Sequence, residues 1–102
     1  MIQLSDDLDR LLRDLEQGTA ATKVRSATEL GRQAATPRLL IALDACLTSR
    51  DWHLRAAAAT SLAKVKGRDA LPQLLPLLED KAFGVREDVR KVVEALESGR
   101  DP

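Results

Sequence analysis

The sequence predicts an all-α protein, an α-solenoid of three stacked antiparallel helical hairpins in which six helices wind into a right-handed superhelix. Three observations predict it. Hydrophobic residues fall into columns: Leu8, Leu40 and Leu71; Leu11, Leu43 and Leu74; Leu15, Leu47 and Leu78; and Leu30, Leu62 and Val93, each spaced 32 and then 31 residues. Such a period is the mark of stacked helical units, each burying its apolar face against its neighbours. The triplet Gly67-Arg68-Asp69 returns as Gly99-Arg100-Asp101, and no segment shows the apolar alternation of a strand.

The first helix is expected after Ser5 as N-cap, with Asp6, Asp7 and Asp9 suiting the positive end of the helix dipole and Leu8, Leu11, Leu12 and Leu15 forming the stripe, until Gly18 stops it. The second follows Thr19 or Thr22 and turns Val24, Ala27, Leu30 and Ala34 to one side, with Gly31 weakening it. Thr36-Pro37 starts the third, a capping hydroxyl before a proline at a position that needs no amide hydrogen, and Leu39, Leu40, Leu43 and Leu47 follow. Asp51 caps the fourth, which buries Leu54, Ala58, Leu62 and Val65 before Gly67. Asp69 opens the fifth, striped by Leu71, Leu74, Leu75 and Leu78 and kinked at Pro76, whose ring removes a backbone donor. The sixth follows Asp80 with Val85, Val89, Val92, Val93 and Leu96 facing the core and Gly99 as its stop.

Together these form a single domain over residues 1–102, with units at about 5–35, 36–67 and 69–98. A rival register aligns Val24-Arg25 with Leu54-Arg55 and Val85-Arg86, but it demands two extra residues in the first turn. With 44% hydrophobic residues and only Trp52 and Phe83 as aromatics, the core is aliphatic. A lone cysteine, Cys46, forms no internal disulfide and fits a reducing compartment. The N-terminus lacks the basic start and apolar run of a secretory signal, and no apolar stretch approaches the roughly twenty residues of a membrane span, so a cytoplasmic protein is expected.

The run Leu54-Arg55-Ala56-Ala57-Ala58 through Leu62-Ala63-Lys64-Val65, then Ala70-Leu71-Pro72-Gln73-Leu74-Leu75-Pro76-Leu77-Leu78-Glu79-Asp80 and Val85-Arg86, resembles the HEAT-like repeats first described in phycobilisome lyases. The resemblance is close over residues 50–97 and rests on leucine spacing alone over 5–48, which makes the first unit divergent or a cap. It implies a ladder of hydrogen bonds between a turn aspartate and an arginine early in each second helix. Asp80 and Arg86 match both positions; in the middle unit Arg55 matches with Ser49 in place of the acid, and the first unit offers Gln17 and Lys23. It also implies a scaffold whose second helices line a concave binding surface. Some relatives handle bilin chromophores and a distant group excises damaged bases, but neither activity follows from fold alone.

No catalytic constellation stands out. His53, the only histidine, has no partner at metal-ligand spacing, so no metal and no cofactor is expected, and a surface position in the fourth helix suits it best. Cys46 lacks an identifiable base and reads as a small core residue. Trp52 and Phe83 share one repeat position and read as a hydrophobic staple over the hairpin turn.

Ala56, Ala59 and Ala63 share a face of the fourth helix. They either pack neighbouring second helices or floor a shallow groove, rimmed by Arg25, Arg32, Lys64, Arg90 and Lys91, that accepts an acidic peptide or helix. The charge balance runs from −3 over residues 1–17 (five acids, two bases) to +5 over 18–78 (four, nine) and −2 over 79–102 (seven, five), which sums to zero. The expected function is therefore a non-enzymatic protein-interaction module. A bilin-lyase accessory subunit is the enzyme-class alternative. Nucleic-acid binding is disfavoured by zero net charge and scarce aromatics, and self-association through the ends of the array stays open.

Overall fold

The computed structural model describes residues 4–99, which leaves Arg100 and Asp101, the end of the returning triplet, outside the described residues. Helices α1 (Leu4–Gln17) and α2 (Ala20–Leu30) form one hairpin, and α3 (Pro37–Cys46) and α4 (Trp52–Lys66) a second. Then come a 3-10 turn (Gly67–Ala70), a single α-turn α5 (Leu71–Leu74), another 3-10 segment (Leu75–Glu79) and the long helix α6 (Phe83–Glu97). Among the described residues there is no strand.

Five of the six expected helices are present, and the fifth is not. Pro72 and Pro76 stand four residues apart, so the carbonyls of Arg68 and Pro72, which α-helical amides would take, both meet proline rings instead. The chain resolves the conflict by tightening into 3-10 turns on either side of α5. Asp69 therefore lies inside a 3-10 turn rather than capping a helix, and Leu75, expected on the buried stripe, is exposed.

Caps set the other boundaries. The side chains of Thr19, Thr36 and Asp51 accept from the amides of Thr22, Leu39 and His53. Gly67, at φ 61°, closes α4 in the left-handed region where a side chain is strained, and Gly99 follows α6 at φ 77°. Two expected starts move. α1 begins at Leu4, which puts Ser5 inside its first turn, and α6 begins two residues past the expected point because Asp80 spends its Oδ1 on the amide of Ala82, 2.8 Å away. α2 ends at Leu30, so Ala34 lies beyond it and is exposed.

The helices after each turn start at Ala20, Trp52 and Phe83, spaced 32 and 31 residues as the leucine columns are. Leu11, Leu43 and Leu74 are buried, as are Leu30, Leu62 and Val93. α2, α4 and α6 pack side by side in one layer, while α1, α3 and the 67–79 segment pack on it from the other side. A molecule 40 × 28 × 17 Å results.

α2 and α4 approach unusually closely. The end of α2 tightens, with the Gly31 amide donating to Thr28, so the Ala27 carbonyl loses its helical partner. The buried Ser61 hydroxyl donates to it at 2.6 Å. A Cβ on Gly31 would lie 2.7 Å from Ser61 Oγ and 3.1 Å from its Cα, so glycine there permits the approach rather than merely weakening the helix.

Candidate functional site

The strongest polar arrangement is the predicted ladder, in a different form. Arg55, at the fourth position of α4, donates from Nε and Nη2 to both carboxylate oxygens of Asp80 at 2.9 and 2.8 Å, and from Nη1 to the Ser49 carbonyl at 2.8 Å. Both side chains are withdrawn from solvent, 7% and 8% exposed. Asp80 thus pairs with Arg55 of the preceding helix and not with Arg86, which instead donates from Nη1 to the Asp80 backbone carbonyl at 2.7 Å. The Arg55 hydrogen bonds hold the Asp80 carboxyl below its usual range and raise the guanidinium in turn. The chemistry of the pair is that of a clasp between α4 and the turn into α6.

Trp52 is a second clasp at the same junction. Its six-membered ring lies against Gly84, where a Cβ would come within 2.2 Å of the ring, and its other neighbour is His53, stacked at 3.8 Å between centroids. The expected staple over its own turn gives way to a bridge onto α6, because only glycine on the facing helix leaves room for the indole. Phe83 has no such cover among the described residues and is 68% exposed.

The outer surface of the α2–α4–α6 layer carries a groove of about 370 Å³ between α2 and α4. Val24 and Thr28 line one wall, and Ala56, Ala57 and Thr60 the other, with Lys64 and Asp88 at its rim. On α4, His53, Ala57, Thr60 and Lys64 follow helical spacing, which aligns them along this outer side. Ala59 and Ala63, expected in the floor, are fully buried instead. They share the Trp52 side of α4, which faces α6, and so pack between helices.

Of the five cations expected at the rim, Lys64 alone lines the groove. Arg25 points its guanidinium back to the Thr22 hydroxyl at 3.5 Å, and Arg32 is exposed just past the end of α2. Lys91 is exposed on α6. Arg90 is held by Glu87 at 2.9 Å and Glu94 at 3.0 Å, which lowers the Glu87 carboxyl and raises Arg90. Sequence reasoning missed Val24, Thr28, Ala57, Thr60 and Asp88. The available signal was Thr28 and Thr60, two hydroxyls 32 residues apart in the same register as the leucines.

A larger, apolar cleft of about 490 Å³ opens between α1 and α3, walled by Leu12, Leu15, Ala42 and Ala45, with Ile41 exposed at its edge. Arg38 spans its rim to Asp9 at 2.8 Å. Cys46 lies at its base, and burial pushes its thiol up, the opposite of an activated nucleophile. His53 is exposed in the first turn of α4 with Nδ1 3.2 Å from the Asp51 carboxylate that caps the helix. Among the described residues no group of three or more His, Cys, Asp or Glu side chains is placed to hold a metal ion, and no helix is long and apolar enough to cross a membrane.

The repeated register, the helical layers and the arginine clasp agree with a comparison against family models, in which the model for HEAT repeats matches residues 8–97. The chain belongs to the HEAT-repeat family. The match spans α1 to α6 and so includes the first hairpin, where sequence likeness rested on leucine spacing alone. No curated protein and no solved structure matches this chain. HEAT repeats generally serve as surfaces for protein–protein contact, and this HEAT-repeat chain shows layered helices with a groove on one face and a cleft on the other.

Proposed function

We propose that this HEAT-repeat chain is a non-enzymatic protein-interaction module whose partner, an acidic peptide or helix, lies along the α2–α4 groove on the outer surface of the second-helix layer. The observation that carries this reading is the groove itself. Small and apolar side chains, Val24 and Ala57, let another backbone come close, while Thr28 and Thr60 supply hydroxyls for orientation. Lys64 makes no ion pair among the described residues, and Arg32, exposed just past the end of α2, and Lys91, exposed on α6, extend the positive character around it. A lone buried thiol suits a reducing compartment such as the cytoplasm. No observation favours the lyase-subunit reading.

The test uses residues that line the groove and are not fully buried, Ala57 half-buried and Lys64 exposed. Ala59 is unsuitable, since a bulky residue there would unfold the protein. Ala57→Trp fills the groove and Lys64→Glu reverses its charge. With a photo-crosslinker at Thr60 to trap the partner, purified partner should bind each variant at least about tenfold more weakly, with melting temperatures near wild type. Equal affinity of both variants for the trapped partner would sink the proposal.

A further inference from the structure

Trp52 and Arg55 occupy the first and fourth positions of α4 and together hold the turn that leads into α6. Arg55 grips the Asp80 carboxylate through two hydrogen bonds, and Trp52 lies over Gly84, four residues after that aspartate. The same two positions of α6 are Phe83 and Arg86, 31 residues on. Arg86 repeats one half of the Arg55 arrangement: its Nη1 donates to the Asp80 carbonyl at 2.7 Å, as Nη1 of Arg55 donates to the Ser49 carbonyl at 2.8 Å. The other half is open. Among the described residues no carboxylate meets Arg86, and Phe83, with the guanidinium carbon 5.7 Å from its ring centroid, is covered by nothing that corresponds to Gly84.

We propose that Phe83 and Arg86 form a docking site for the turn of a partner helical-repeat protein, one that presents an aspartate followed four residues later by a glycine, as Asp80 and Gly84 do within this chain. The aspartate completes the bidentate pair with an arginine already oriented by its carbonyl contact, so little side-chain freedom is lost on binding. The glycine lets the partner's backbone approach the exposed phenyl ring.

The rest of α6 says what kind of contact this is. Ala56, Ala59 and Ala63 of α4, buried on the side that faces α6, become Glu87, Arg90 and Glu94 at 31 residues' remove. Arg90 bridges the two acids. Such a stripe needs no apolar cover, so the partner is held at its turn and not by a fused core, the polar make-up of an interface that forms and dissociates. A second copy stacked head to tail would offer Gln17 and Ala21 at the corresponding positions, an amide where the carboxylate is required. The first turn of a second copy is therefore not the occupant this site fits.

The double variant Gln17→Asp, Ala21→Gly turns this protein's own first turn into the proposed ligand, and it serves as the probe. In sedimentation equilibrium it should self-associate about ten- to a hundredfold more tightly than wild type, the range expected from adding a charged hydrogen-bonded pair. Arg86→Ala placed in the same chain should abolish the gain. Because glycine near the start of α2 weakens that helix, Gln17→Asp alone is measured beside it and should retain the Arg86-dependent part. A gain that survives Arg86→Ala, or the lack of an Arg86-dependent gain in both variants with native circular dichroism, overturns the proposal.

Discussion

Single atoms decide how the layers of this protein meet. The buried Ser61 hydroxyl donates to the Ala27 carbonyl, which the Gly31 amide at the tightened end of α2 has abandoned. Ser61→Ala leaves that acceptor buried and unpaired, so the variant should lose about 1–3 kcal/mol in denaturant unfolding, whereas Thr60→Ala, at a half-buried position beside it, should stay within about 0.5 kcal/mol. Asp80 gives a pH signature. Its carboxyl is held below the ordinary value of 3.8 by Arg55, so it binds a proton more readily in the unfolded chain. The stability it contributes is fully present above that ordinary value and is lost as pH falls below it toward the folded-state pKa. Asp80→Asn should cost about 3 kcal/mol at neutral pH by leaving Arg55 without its counter-charge. The same variant should unfold with a shallower dependence on pH below 4. An unchanged acid limb would show that other carboxylates carry it.

At the scale of elements, what was legible in the sequence and what was not divide along a physical line. Interactions close in sequence could be read: the Thr36-Pro37 start, the Asp51 cap, the Gly67 stop and the valine stripe of α6 all follow from contacts within a few residues. Gly31 and Gly84 could not, because each is explained by a residue about thirty positions away, Ser61 for one and Trp52 for the other. The two readings of the three alanines stayed open for the same reason: helical spacing marks a close approach, but not whether solvent or a helix lies beyond, and Ala59 and Ala63 proved to be buried. Residues 67–79 failed differently. Pro76 alone predicts a kink, whereas Pro72 and Pro76 together leave only one α-turn between them. Replacing both by alanine restores two donors, so far-UV circular dichroism should rise by about one turn of helix, on the order of four residues. An unchanged spectrum would mean that packing against α6, not proline, dictates the 3-10 geometry.

In the whole molecule, stability is distributed as in a short one-dimensional array, where each element is held by its neighbours. α4 is the hub: it packs on α2, α3 and α6, and it supplies Arg55, Trp52, Ser61 and Leu62 to the contacts that join them. α1 is held chiefly by α2, since the cleft opens between it and α3, with the exposed Arg38–Asp9 pair across the rim. Surface pairs of that kind contribute little. Local opening should therefore cost much less for α1 than for α4, and native-state amide exchange should run at least about tenfold faster in Leu8–Leu15 than in Ala58–Lys64. Trp52 provides a second reading. It reports the α4–α6 junction, the far end of the array from α1, so under increasing denaturant the helical signal should begin to fall before Trp52 fluorescence changes. Leu62→Ala, which opens a cavity at the hub and should cost about 2–5 kcal/mol, should bring the two transitions together by lowering the global limit toward the local one. Coincident transitions in the wild-type protein, with uniform exchange along the helices, would show that the cleft does not loosen α1 and that the array unfolds as one unit.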